Sequence, residues 1–249
     1  MLRDFSKDEF DIFIQAGQSN SEGGGIGDAS NPYVPSENVW YLNGNMVITV
    51  AHEAVNGNNI VSNFSLSFAR EYIEKGLLKP GRKLLILRTA FGGTSFSGGH
   101  WRVGDGLYNR MLNMAETALN LNPKNKLAGL LWHQGEHDAG AEVSRDTHYN
   151  NLSALVSGVR GKFNINDLPF IAADLCNQWK TANIKICEPV VQAIKDVCAD
   201  IGSARFTETE GLQSNDQRLG NGDTPHFCRE ALYQLGVKYF EAYKEIIGV

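Results

Sequence analysis

The chain has 249 residues, of which 42% are hydrophobic and 20% charged, and a formal net charge of −5. That composition suits a globular protein with ample material for a core and excludes a disordered chain. No long basic run is present and no apolar run reaches the length of a membrane-spanning helix, so neither nucleic acid nor membrane is an expected partner.

The N-terminal stretch from Met1 to Glu9 has no apolar segment and does not read as a signal peptide. A cytoplasmic protein is expected, or a secreted one from which a leader has been removed. Ile12 to Ala16 then forms a short apolar run that stops at Gly17. It reads as a buried strand ending in a sharp turn that carries Ser19 and Asn20. Ser and Asn are ordinary turn residues, so Ser19 is either a turn former or a nucleophile placed just beyond the carboxyl end of a strand. Gly23-Gly24-Gly25-Ile26-Gly27-Asp28 does not fit a dinucleotide fingerprint or a phosphate loop and reads as a flexible loop. Val39–Leu42 and Met46–Val50 flank Asn43-Gly44-Asn45, a hairpin signal. Residues 20–60 are thus expected to form an excursion of loop plus small hairpin, in which Trp40 and Tyr41 either pack or line a cleft.

From Asn63 the spacing changes to that of a helix, with Phe64, Leu66, Phe68, Ala69, Tyr72 and Ile73 inward and an end near Gly76. Leu84–Leu87 is the second strand, and its continuous apolar run predicts burial on both faces. It ends in Gly92-Gly93-Thr94-Ser95. A helix over 107–121 and a third strand over 127–132 follow, the latter ending in His133-Gln134-Gly135-Glu136-His137-Asp138. A helix over 146–163, a strand over 169–173, a helix over 186–201 and a weak strand over 204–207 continue the alternation. A polar loop over 214–222 leads to Asp223-Thr224-Pro225-His226 and a last helix ending near Ile247. Strands alternating with helices predict an α/β fold, a three-layer α/β/α sandwich on a five-stranded parallel sheet of order 2-1-3-4-5, the flavodoxin-like winding. No repeat or linker interrupts it, so residues 1–249 are expected to form a single domain. The four cysteines, Cys176, Cys187, Cys198 and Cys228, lack Cys-x-x-Cys spacing and are expected to be reduced, partly buried thiols.

Parallel strands end on one side of the sheet, so Ser19, Gly92-Gly93 and Gln134 should be neighbours. A nucleophile with donors aimed at a developing oxyanion is what acyl transfer needs, and glycine permits close backbone approach. The serine also needs a base. An Asp three residues before a His can hold Nδ1 and leave Nε2 free for the serine hydroxyl. Asp223, Thr224 and Pro225 would equally suit simple initiation of the last helix.

Together, Gly17-Gln18-Ser19-Asn20, Gly92-Gly93-Thr94, Trp132-His133-Gln134-Gly135-Glu136-His137-Asp138 and Asp223-Thr224-Pro225-His226-Phe227 resemble the blocks of the SGNH hydrolase superfamily. They are most similar to its sialate O-acetylesterase-like branch, which includes carbohydrate esterase family 6 acetylxylan esterases. The resemblance implies a serine esterase acting on a small-molecule or polysaccharide acetyl ester without a cofactor or metal. It implies Ser19 as nucleophile, His226 as base and Asp223 as the acid that orients it. The oxyanion donors it implies are the backbone N–H groups of Ser19 and Gly93 and the Gln134 side chain. Gln18, Asn20, Thr94 and Glu136 would support the site, and Asp138 would form the turn or cap a helix. Ser21 stands where the branch often has methionine, at the acyl pocket. Thr94, Ser95, Trp101 and the 20–60 excursion are the expected substrate contacts.

Two other readings compete. His133-Gln134-Gly135-Glu136-His137 also spells His-x-x-Glu-His, an inverted zinc-peptidase motif, although Gly135 in its middle disfavours the helix such a motif needs. A non-catalytic glycan-binding module would have no use for the Ser–His–Asp set.

Overall fold

The computed structural model describes residues 4–249. Met1–Arg3, part of the stretch read above for a leader, lie outside the described residues. Strand β1 (Glu9–Gly17) is buried at every position after Glu9. Its side chains alternate: Phe10, Ile12, Ile14 and Ala16 join one core cluster, while Phe13 joins the other. Helix α1 (Ser19–Glu22) is a single turn. Strands β2 (Val39–Leu42) and β3 (Ile48–Val50) pair antiparallel. Strands β4 (Ala54–Asn56) and β5 (Asn59–Val61) make a separate two-stranded ribbon. Helix α2 (Phe64–Glu74), capped by the Asn63 side chain, precedes β6 (Arg82–Arg88). Then come α3 (Gly106–Asn120), β7 (Lys126–His133), α4 (Glu136–Gly140) and α5 (Arg145–Phe163). Strand β8 (Phe170–Ala173), α6 (Asn177–Ala182), α7 (Ile184–Asp200) and β9 (Ala204–Thr207) follow. The chain closes with α8 (Asn215–Leu219) and α9 (Arg229–Ile247).

The main sheet has the order β3-β2-β6-β1-β7-β8-β9. Five consecutive strands, β6-β1-β7-β8-β9, are all parallel and reproduce the expected order. The sheet nevertheless has seven strands rather than five. The hairpin expected in an excursion is part of the sheet, because β2 pairs in parallel with β6 from Val39↔Leu84 to Leu42↔Leu87. All four β2 side chains are buried, which an interior strand requires and a free hairpin does not. Helices α3, α5 and α7 cover one face through Met111, Leu152, Leu155, Ile194 and Val197. Helices α2 and α9 cover the other, where Phe13 packs edge-on against Phe68, Tyr72 and Tyr243.

Two local corrections bear on the site. The polar loop expected over 214–222 contains α8, opened by a capping box between Ser214 and Gln217. Helix α9 begins at Arg229, so Asp223, Thr224 and Pro225 precede it and do not cap it. Among the described residues no helix is long and apolar enough to cross a membrane.

Candidate active site

The turn after β1 is built on a close backbone approach. The Gln18 N–H donates to His133 O at 2.9 Å, and a Cβ on Gly17 would lie 2.0 Å from that same oxygen. Gly17 also sits at φ 119°, a conformation side chains rarely adopt. Gly17 therefore lets the end of β1 press against β7 and turn directly into α1. Ser19 stands at the first position of that turn, half-buried.

Its hydroxyl meets the loop before α9. His226 Nε2 lies 2.9 Å from Ser19 Oγ, and His226 Nδ1 lies 2.6 Å from Asp223 Oδ1. The other Asp223 oxygen accepts from Asn215 Nδ2 at 2.8 Å. Asn215 in turn donates to Gly24 O and accepts from the Ile26 N–H, which ties α8 to the glycine loop. Asn215 was not singled out from the sequence; the Ser-x-x-Gln capping box beginning at Ser214 was the available signal for an ordered segment there.

Asn20 and Glu136 brace this chain from beneath. Asn20 Nδ2 donates to Glu136 Oε1 at 2.7 Å and to Pro225 O at 2.9 Å, while its Oδ1 accepts from the Phe227 N–H at 3.1 Å. One buried amide thus binds the Ser19 turn to the His226 loop across more than 200 residues of sequence. On the other side, Gly92 N–H donates to Glu22 Oε2 at 2.7 Å, and a Cβ on Gly92 would lie 3.7 Å from Ser19 Cβ. Gly93 follows with φ 74°. Among the described residues, neither the Ser19 nor the Gly93 N–H has an acceptor.

The Gly92-Gly93 loop is locked from behind. Thr94 Oγ1 donates to Phe91 O at 2.6 Å and accepts from Trp101 Nε1 at 2.8 Å. Trp101 is fully buried, packed edge-on against Trp132, and is no substrate contact. Thr94 and Ser95 are likewise buried. Asp138 is also fully buried and accepts from the N–H groups of Phe96 and Ser97 at 3.1 and 2.9 Å. It shapes the loop after β6 as well as its own turn. Burial alone would raise its carboxyl pKa, but His148, 3.5 Å away, and the Ser97 N–H hold it well below the usual carboxylate range.

Gln134, the expected side-chain oxyanion donor, is hydrogen-bonded to other side chains. It is 0% exposed, and its amide nitrogen donates to Asp138 Oδ2 at 2.8 Å and to Gln18 Oε1 at 3.3 Å. Both amide hydrogens are therefore spent inside the protein. Ser21 is also fully buried rather than at the pocket wall.

The histidines of the zinc alternative diverge. His133 is sealed between Phe64 and Phe227, with Nδ1 3.3 Å from Tyr239 Oη. His137 is exposed on α4, facing the pocket. Among the described residues no three His, Cys, Asp or Glu side chains converge as metal ligands.

A cavity of about 320 Å³ opens over Ser19 and His226, lined also by Gln18, His137, Trp179 and Pro225. A second cavity of the same volume, bounded by Tyr33, Arg70 and Glu74, contains none of the hydrogen-bonded chain. A third is lined by Glu22, Phe91, Arg88 and Arg110, and the excursion contributes Tyr41, Asn43 and His52 to it.

A family model described as carbohydrate esterase, sialic acid-specific acetylesterase, matches residues 9–245. No curated protein matches the chain. Among solved structures, NanS is similar at 17% identity and TM-score 0.80, with 97% of this chain and 98% of that chain covered. A protein from Arabidopsis thaliana is similar at 22% identity and TM-score 0.75, with 94% and 98% covered. A carbohydrate acetylesterase from Xanthomonas citri is similar at 16% identity and TM-score 0.65, with 96% of this chain and 57% of that one covered. At these identities the likeness to the solved structures is one of fold.

Proposed function

The chain belongs to the carbohydrate esterase family of sialic acid-specific acetylesterases, and from that premise we propose that it removes O-acetyl groups from carbohydrate through an acyl-Ser19 intermediate. The observation that carries this mechanism is the chain Ser19 Oγ, His226 Nε2, His226 Nδ1, Asp223 Oδ1, with separations of 2.9 and 2.6 Å, whose Ser19 and His226 line a cavity. Asp223 accepts a hydrogen bond from the Nδ1–H and so leaves the Nε2 lone pair for the hydroxyl. Ser19 Oγ attacks the acetyl carbonyl as its proton passes to Nε2. The carbonyl electron pair moves onto oxygen, which the free N–H groups of Ser19 and Gly93 receive. His226 then gives the proton to the departing sugar oxygen as the C–O bond breaks. Water, deprotonated by the same nitrogen, releases acetate and restores Ser19. The whole chain serves as one catalytic domain in this scheme, with an acetylated sugar, free or within a polysaccharide, as the partner.

Release of p-nitrophenol from p-nitrophenyl acetate tests the mechanism. Wild-type protein should turn over with or without a chelator, and Ser19→Ala should lose activity by about 10⁴-fold or more. Activity that persists in Ser19→Ala but disappears with chelator would overturn the serine mechanism.

A further inference from the structure

With the Gln134 amide spent on Asp138 and Gln18, the free backbone N–H groups of Ser19 and Gly93 are two donors, and a third, from a side chain, is to be identified. The geometry points to His137, and we propose that its Nε2–H is that donor to the oxyanion. This rests on the acyl-Ser19 mechanism above.

Gln18 fixes which nitrogen of His137 carries the proton. Gln18 Oε1 faces three donors: the Gln134 amide and the N–H groups of Gly135 and His137, at 3.3, 3.4 and 3.4 Å. That arrangement sets the orientation of the Gln18 amide, since a flipped amide would bring its own hydrogens against all three. Its nitrogen therefore faces His137 Nδ1, at 3.2 Å. A nitrogen that receives a hydrogen bond from an amide carries no proton, so the neutral imidazole holds its proton on Nε2. That nitrogen lies beside Gly93: His137 lines the cavity together with Ser19 and His226, and its Nε2 is 3.9 Å from where a Cβ on Gly93 would sit. Ser19 and His137 thus line one cavity with Gly93 next to His137, so the three donors come from three elements, α1, the loop after β6, and α4. No proton moves in this contact. As the carbonyl π pair shifts to oxygen, the Nε2–H bond stays intact and its hydrogen bond to that oxygen shortens.

Gln18 and Gln134 become positioning residues under this assignment. They hold an imidazole that is itself exposed at the surface, where an unbraced side chain would sample several rotamers.

The test compares His137→Ala, His137→Gln and Gln134→Met with wild type and Ser19→Ala, using p-nitrophenyl acetate and an acetylated sugar, with thermal melting to show that each variant is folded. His137 is exposed and its replacement should leave the melting temperature unchanged. His137→Ala should lower kcat by about 10²-fold with little change in KM, as loss of an oxyanion donor does. His137→Gln, which retains an N–H donor of similar reach, should recover at least about tenfold of that loss. Gln134→Met should melt lower yet keep more kcat than His137→Ala. A folded His137→Ala at wild-type kcat, with Ser19→Ala inactive, would overturn the assignment while leaving the esterase mechanism in place. A change confined to KM would make His137 a ground-state contact and overturn it equally. Equal activity of wild type and Ser19→Ala would overturn both proposals.

Discussion

At the scale of single residues, the site depends on amides and carboxylates that never touch the reacting atoms. Asn20 is the clearest case, because one side chain bonds Glu136, Pro225 O and the Phe227 N–H. Asn20→Ala would free the His226 loop from the Ser19 turn and leave the buried Glu136 carboxylate without that donor. Stability should fall by about 2–4 kcal/mol, and kcat by about 10–100-fold, because small displacements of a nucleophile–base pair are costly. Steady-state kinetics with a urea melt would check this. A variant that is less stable yet fully active would place Asn20 in the fold alone. These roles differ in how legible they were. Ser19, Gly93, Asp223 and His226 could be quoted from the chain because each sits in a short block with its own turn chemistry. The second partners of Asn20, Asn215 and Gln18 come from distant segments, and no local pattern announces such contacts. Gln134 shows the converse: a family block supplies a residue type, while the neighbouring carboxylate of Asp138 decides where its hydrogens go.

At the scale of elements, periodicity identified the long helices and the inner strands well, and length explains what it missed. Helices α4, α6 and α8 span 5, 6 and 5 residues, too short to show a repeating apolar face. Strand β2 reads from the sequence as part of a detached hairpin, because the Asn-Gly turn after it is a strong local signal while its parallel partner lies more than 40 residues on. The fit of α9 on α2 is a packing feature of the same kind. In α9, a Cβ on Gly236 would lie 2.0 Å from Phe64 O and 2.1 Å from Ser67 Oγ, so this glycine lets the two helices touch. Gly161, exposed in α5, has nothing within 4 Å of such a Cβ. Alanine improves a free helix position by about 0.8–1 kcal/mol, whereas overpacking costs about 1–3 kcal/mol or more. Gly161→Ala should therefore raise the melting temperature slightly and Gly236→Ala should lower it by about 2–10 °C. Differential scanning calorimetry of the pair would decide, and equal shifts would mean that α9 can move away without cost.

At the scale of the whole molecule, burial of ionisable groups on both sides of neutrality should confine stability to a window between them. On the acid side, burial pushes the His133 pKa below its ordinary value of 6.5, with Glu136 and Asp174 opposing the shift. Below about pH 6.5 the unfolded chain binds a proton there that the folded protein does not, so this contribution is present above that pH and is lost as pH falls through it. Asp138, held low, adds a second loss once pH drops below its ordinary 3.8. On the alkaline side, burial pushes the thiols of Cys176, Cys187 and Cys198 from 9.0 up to about 12. Above about pH 9 the unfolded thiols release protons that the folded ones keep, and each such group removes about 1.4 kcal/mol of stability per further pH unit. All four cysteines are unpaired and buried, more deeply than composition alone led one to expect. Urea midpoints measured under reducing conditions should therefore be flat from about pH 7 to 8.5, decline gently below, and fall steeply above pH 9. Cys187→Ala separates the thiols from general alkaline weakening. It should be less stable at pH 7 yet lose stability more slowly between pH 9 and 10.5 than wild type, because one of the three raised groups is gone. Parallel alkaline limbs for the two proteins would show that the buried thiols do not set this boundary.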